Sequence, residues 1–165
     1  MSRDSVVVVG SGMMGSGIGA MAALAGKKTI LVDVDESRTA VGLQKAADCI
    51  KLRVENGLNT EEEGKLAIQL LTTSINMPEA VASAGMVIEA IIEKIEAKQA
   101  IFARLDELLD VNIPICSNTS GLRITEISAL CKHPERTFTT HFWLPAGLVP
   151  LVEVCGKSPF RVFAQ

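Results

Sequence analysis

The stretch VVVVGSGMMGSGIGAMAALAG, Val6 to Gly26, decides the fold. Its four valines make a strand-length run suited to burial on both faces of a sheet. The segment after them carries a glycine at nearly every second or third position, although each glycine costs about 0.5–1 kcal/mol relative to Ala inside a regular element. The bare backbone must serve something other than helix stability. Gly10, Gly12 and Gly15 give the spacing G-x-G-x-x-G where a strand meets a helix. In that context the first glycine permits a tight turn, the second lets a pyrophosphate approach the backbone, and the third lets the helix pack closely on the strand. Met13 and Met14, between the second and third glycines, open a helix whose free N–H groups and partial positive charge favour an anion. Gly17 and Gly19 lie beyond this fingerprint and read as close helix packing.

A second apolar run, TILVDV, ends in Asp33, eighteen residues beyond Gly15. A carboxylate there takes the two ribose hydroxyls of an adenosine and repels a 2′-phosphate, and no Arg follows it immediately. NAD is therefore expected as cofactor rather than NADP. Further strand-length runs are TTSI, MVIEAI, IPICSN, TFTTHF and PLVEVC, separated by helix-length segments. This alternation predicts an α/β fold with a doubly wound, mainly parallel sheet covered on both faces, one Rossmann domain over residues 1–165. Helices are expected from Met13 to Ala25, closed by Gly26, and from an Asp35 N-cap to Glu55. A third starts at the capping-box pair Thr60 and Glu63, a fourth runs from Glu93 to Leu109, and a short one from Thr125 to Cys131. The tail CGKSPFRVFAQ carries no assignable pattern.

Composition narrows the function classes. The chain has 165 residues, 48% of them apolar, and a net charge of -3. Its Lys and Arg residues are scattered, which gives no electrostatic case for nucleic acid. Cys49, Cys116, Cys131 and Cys155 form no C-x-x-C pair and have no His at ligand spacing, so they read as reduced core cysteines and no metal site is expected. No apolar run approaches the roughly 20 residues of a spanning helix. A cytoplasmic protein without membrane partners is expected, or a mitochondrial-matrix one if a presequence has been removed.

A Rossmann unit binds a cofactor without naming a reaction. The second half of the chain supplies the residue types for one. SNTSGL, Ser117 to Leu122, follows one strand, and HFWLPAGLVPLVEV begins with His141 at the end of another and contains Glu153. A neutral imidazole can take a hydroxyl proton while a carboxylate fixes its tautomer and stabilises the imidazolium. Spacing does not show that the two meet; a core histidine and an unrelated surface glutamate fit the same residues.

The segments VVGSGMMGSGIGAMAALAG, VIEAIIEKIEAKQAIF, SNTSGLRITEIS and HFWLPAGLVPLVEV together resemble the NAD-binding domain of L-3-hydroxyacyl-CoA dehydrogenases and their lambda-crystallin-like relatives. The resemblance implies that His141 is the general base for the C3 hydroxyl, that Glu153 orients it, and that Ser120 hydrogen-bonds near the substrate oxygen and the nicotinamide. It places Glu93 and Lys98 on the nicotinamide side and Ala90 on the loop over which the cofactor passes. Without the family, Glu93 and Lys98 would read as a solvated helix face. The implied reaction is interconversion of 3-hydroxyacyl-CoA and 3-ketoacyl-CoA. Alternatives are a lambda-crystallin-like dehydrogenase of a free hydroxy acid such as L-gulonate, and a non-catalytic NAD-binding module. Where the family reads His-x-x-Asn-Pro, this chain reads His141-Phe142-Trp143-Leu144-Pro145, an aliphatic group in place of an amide. The family's C-terminal helical domain is absent from these 165 residues. An apolar patch is therefore expected at Leu148, Leu151, Phe160 and Phe163, with assembly into a homodimer.

Overall fold

The valine run forms β1 (Ser5–Val9), and its Val7 and Val8 are fully buried on opposite faces. A strand that is apolar on both sides needs a cover on both sides, and a parallel sheet with helical crossovers provides it. The structure, a computed structural model, describes residues 4–156 and the backbone of residues 161–164. After β1 come α1 (Met13–Leu24), β2 (Lys28–Val32), α2 (Glu36–Glu55), α3 (Glu61–Leu70), β3 (Leu71–Ser74) and α4 (Met77–Val81). The second half contains β4 (Ala84–Glu89), α5 (Ile95–Leu108), β5 (Ile115–Ser117), α6 (Ile124–Ile127), β6 (Thr137–Phe142), β7 (Leu151–Cys155) and β8 (Arg161–Ala164).

These strands make one sheet in the order β3-β2-β1-β4-β5-β6-β7-β8, parallel from β3 through β6 and antiparallel thereafter. The chain winds outward from β1 to β3, crosses back to β4, and winds outward the other way. That reversal opens a crevice at the C-terminal ends of β1 and β4, the place where such sheets bind ligands. Alternate strand residues feed two cores. Val7, Val9, Val87 and Ile115 meet Phe102, Leu105 and Ile127 on one face, while Val8, Leu31 and Ile88 meet Ile18, Ala46 and Ile50 on the other.

The helix signals hold in detail: the Asp35 carboxylate accepts the Arg38 N–H, and Thr60 and Glu63 make both bonds of a capping box. Two helices and the tail depart most from the expectation. Helix α5 begins at Ile95, because Lys94 is extended and Glu93 is held by the turn at residues 119–121. The short helix covers only Ile124–Ile127 and tightens to a 3₁₀ turn over Ser128–Leu130. Within the tail, Arg161–Ala164 adds to the sheet beside β7. Of the expected apolar patch, Leu148 is exposed and Leu151 half-buried; Phe160 and the Phe163 side chain lie outside the described residues. Cys116 is buried, which pushes its thiol up to about 12, and Cys49, Cys131 and Cys155 are half-buried rather than core.

At the far end of the sheet from the crevice, Arg136 and Asp106 form a buried ion pair with Nη2 to Oδ1 at 2.7 Å. Arg136 also donates to the carbonyls of Asp106, Leu109, Asp110 and Ile113, where α5 ends and β5 is about to begin. Burial alone would raise the Asp106 pKa. The Arg136 hydrogen bonds, the amides of His133 and Lys132 and the guanidinium charge hold it below its ordinary value instead. The stability it contributes is complete above the ordinary carboxyl range and is lost as pH falls through the lowered value. Asp106→Ala should cost about 3–5 kcal/mol at neutral pH by leaving Arg136 unpaired. Urea denaturation at neutral and acid pH should show that cost shrinking in acid.

Candidate active site

Gly10 leaves β1 with φ +98, a conformation that favours glycine, and a Cβ there would also lie 2.7 Å from the Ala90 carbonyl oxygen. The Ala90 amide donates to Val9 O at 2.8 Å, so the loop after β4 runs directly beside the glycine turn. A Cβ on Gly15 would fall 1.8 Å from Gly10 O, which makes that glycine obligatory for the approach of α1 to the strand. Gly12 is different: a Cβ there would meet nothing within 4 Å. The protein does not need that glycine for its own packing, and the open space is where a ligand would press against the backbone. Helix α1 has no capping side chain and no acidic residue in its first turn, so the N–H groups of Met13, Met14 and Gly15 lack a side-chain acceptor. Gly17 and Gly19 face Ala146 and Leu31, in keeping with packing roles. These features fit a dinucleotide's pyrophosphate.

Asp33 stands one residue beyond β2. Its Oδ2 accepts from the Ser11 amide at 2.8 Å and from the Ser11 hydroxyl at 2.9 Å, and its Oδ1 from the Val34 amide at 2.8 Å. Partial burial raises its pKa, but these bonds and the nearby Arg38 charge lower it overall, so it is an acceptor-only carboxylate at neutral pH. Three of its roughly four lone-pair sites are already engaged. Ser11 has one hydroxyl proton and a second acceptor, Arg38 O at 3.1 Å; turned there, it frees Oδ2 for a ribose hydroxyl. Arg38 is a cation near Asp33 that sequence order concealed, and its Nε lies 3.4 Å from Asp35.

The second cluster sits along the same edge. Antiparallel pairing of β6 with β7 sets His141 directly opposite Glu153, and His141 Nδ1 lies 2.7 Å from Glu153 Oε2. Ser120 Oγ lies 3.1 Å from the other ring nitrogen, Nε2. A cavity of about 370 Å³ opens beside them, lined by Thr119, Ser120, Thr125, Thr139, His141 and Glu153. Trp143 tilts toward the imidazole with ring centroids 5.8 Å apart. Because an ionised Glu153 offers only an acceptor, its contact suits a proton on Nδ1 and leaves Nε2 as an acceptor facing Ser120.

Glu93 and Lys98 are neither a solvated face nor on one helix. Glu93, half-exposed, accepts from the Thr119 hydroxyl and the amides of Ser120 and Gly121. Burial raises its pKa, but Thr119, Lys98 and the Gly121 amide bring it below the ordinary value. Lys98, placed on the nicotinamide side by resemblance, is only 1% exposed and lies beneath the site, its ammonium on Glu89 and Glu93. A shell of buried polar groups escaped sequence reading: Glu89, Ser117 and Thr119, as did half-buried Asn118, whose Oδ1 accepts the Phe142 amide at 2.8 Å. Leu144 is 60% exposed and offers no hydrogen-bonding group where the family has an amide.

A glycine turn against an uncapped helix, with an acidic residue after the second strand, defines a dinucleotide-binding domain of the Rossmann class. Residues 5–159 match the model of the 3-hydroxyacyl-CoA dehydrogenase NAD-binding domain, and the chain belongs to that family, with NAD as its cofactor. It is 38% identical over 154 residues to a probable 3-hydroxybutyryl-CoA dehydrogenase of Bacillus subtilis, covering 93% of this chain and 53% of that protein. The solved 3-hydroxybutyryl-CoA dehydrogenase of Escherichia coli superposes with a TM-score of 0.86 at 35% identity, covering 93% of this chain and 32% of the other. That of Ralstonia eutropha gives 0.85 at 28% identity, covering 93% and 54%. The chain thus spans about half or less of the length of these relatives. All three are named for acyl-CoA substrates, which does not favour the L-gulonate alternative. No helix among the described residues is long and apolar enough to cross a membrane.

Two alanine substitutions separate the roles of the glycines. Gly12→Ala should leave the urea midpoint unchanged while weakening NADH binding at least tenfold by fluorescence titration. Gly15→Ala should lose about 1–3 kcal/mol of stability, because backbone must move to admit the methyl group.

Proposed function

We propose that this chain is the cofactor-binding part of an enzyme that interconverts 3-hydroxyacyl-CoA and 3-ketoacyl-CoA. The observation that carries the reading is the Ser120, His141, Glu153 array, with bonds of 3.1 and 2.7 Å, on the same sheet edge as the glycine loop. When bound, NAD supplies the hydride acceptor for oxidation of C3 and the hydride donor for the reverse. The protein's own task is the proton. Glu153 accepts the Nδ1–H, fixes the tautomer, and stabilises the imidazolium that forms. His141 Nε2 takes the proton of the substrate C3 hydroxyl and returns it to the keto oxygen in reduction. Ser120, whose hydroxyl donates to Nε2 in the free protein, turns to the substrate oxygen when that oxygen occupies its place. Thr125 and Thr139 bring hydroxyl groups to the lining of the adjoining cavity for the carbonyl-rich end of the substrate.

Leu144 favours a second reading, a domain that binds NAD without turnover, since one polar partner near the cofactor is missing. Oxidation of NADH by acetoacetyl-CoA distinguishes the two: the proposed enzyme consumes both, whereas a binding module shows NADH affinity alone. His141→Ala should lower the rate about a hundredfold or more, the range for a positioned acid–base group, and leave NADH affinity intact. Glu153→Gln should act on the rate but less severely. Steady-state kinetics at saturating NADH check both, and an unchanged rate in either variant contradicts the proton relay.

A further inference from the structure

The array of Ser120, His141 and Glu153 rests on a buried ion pair that the reaction itself does not use. Glu89, the last residue of β4, is fully buried, and Lys98 of α5 is 1% exposed. Glu89 Oε1 accepts from Lys98 Nζ and from the Ile91 amide, each at 2.6 Å, and Oε2 accepts from the Ser117 hydroxyl at 2.6 Å. As a source of stability such a pair is weak, because desolvation offsets most of the attraction and apolar side chains of the same volume often serve a core as well. Its use lies in what it holds. The second contact of Lys98 Nζ is Glu93 Oε2 at 3.3 Å, and the third is Ile91 O at 3.5 Å, which accounts for all three of its protons. Glu93 Oε1 accepts from the Thr119 hydroxyl, from the Ser120 amide at 3.2 Å and from the Gly121 amide at 3.4 Å. Ser120 Oγ then reaches His141 Nε2.

We propose that Glu89 is a positioning residue: through Lys98 and Glu93 it fixes the turn at residues 119–121 and thereby sets the Ser120 hydroxyl on His141 Nε2. The consequence for turnover rests on the proton-relay reading, whereas the positioning itself does not. The charge balance gives the direction. Between two carboxylates, Lys98 divides its attraction, and Glu93 keeps one oxygen for the amides of the turn. With Glu89 neutral, the ammonium draws Glu93 toward itself, and the two long bonds to Ser120 and Gly121 are the first to open. The serine hydroxyl then leaves Nε2.

The chain has only two histidines, which makes the imidazoles readable in a long-range ¹H–¹⁵N spectrum. His133 sits on the approach to β6 beside Glu135, at the other end of that strand from His141, and serves as the internal reference. Spectra of the wild-type chain, Ser120→Ala, Glu89→Gln and Ser117→Ala should be recorded at one neutral pH. Glu89→Gln should move the His141 Nε2 resonance at least half of the way to its position in Ser120→Ala and leave His133 in place. Ser117→Ala, which removes one of the three donors to Glu89, should move it the same way by less. A folded Glu89→Gln chain with Nε2 at its wild-type position overturns the proposal. Should Glu89→Gln not fold, Ser117→Ala decides: a displaced Nε2 supports the positioning role, and an unmoved one overturns it. Steady-state assay of His141→Ala tests the other reading separately: displaced Nε2 together with an unchanged His141→Ala rate would reject the relay and keep the positioning.

Discussion

A side chain on Gly15 would put its Cβ 1.8 Å from the Gly10 carbonyl oxygen, and the rest of the structure depends on the closeness that this records. It brings the first turn of α1 against the end of β1, so the helix N–H groups converge on the crevice where the winding of the sheet reverses. The same tight packing propagates outward. Gly42 of α2 lies so close to Ser11 that a Cβ would be 2.5 Å from the serine Cβ, and Ser11 in turn binds Asp33. Gly17 of α1 rests on Ala146, in the segment that leads from β6 to β7. Small residues of α1 and α2 thereby order the glycine turn, the acidic residue and the approach to the second cluster.

The meeting of His141 with Glu153 depends on a different constraint, the reversal of direction at β7. In a parallel continuation His141 and Glu153 would be separated by a crossover; the antiparallel return makes them cross-strand partners. Register is decisive, since a slip by one residue would turn Glu153 to the opposite face of the sheet. Helix α2 secures the connection. Arg53 Nη1 donates to Gly147 O at 2.5 Å, and Gly147 lies so near Cys49 that a Cβ would be 2.2 Å from its sulfur. Arg53 also donates to Asn59 Oδ1 at 2.7 Å, which joins the connection to the end of α2 and the start of α3.

What could be read from the sequence follows from the range of each interaction. The parallel sheet was legible because valine-rich runs and helical periodicity are local signals, and so were the caps at Asp35 and Thr60 and the close packing at Gly10 and Gly15. That His141 meets Glu153 was not legible from spacing, since the two lie on strands joined by an irregular connection whose length does not fix the register. The burial of Lys98 is hidden for a related reason: a lysine amid EKIEAK on a helix belongs by default in solvent, and its partner Glu89 arrives from β4. Glu93 was placed on that helix because the periodicity continues through it, whereas the turn at residues 119–121 holds it outside. Arg38 stood too far along the chain to be linked with Asp33. In each case the missing information was a partner distant in sequence.

On the proposed reading, one edge of the sheet presents the dinucleotide site and the His141–Glu153 pair to a single bound cofactor. Mapping amide and imidazole chemical shifts during titration with NADH tests it most directly. Coordinated changes are expected at Gly10 to Gly15, Val34, Ala90 to Glu93, Ser120, Gly121 and His141, saturating at one NADH concentration. Changes confined to the glycine loop and Val34, with Ser120 and His141 unmoved at saturation, would contradict it.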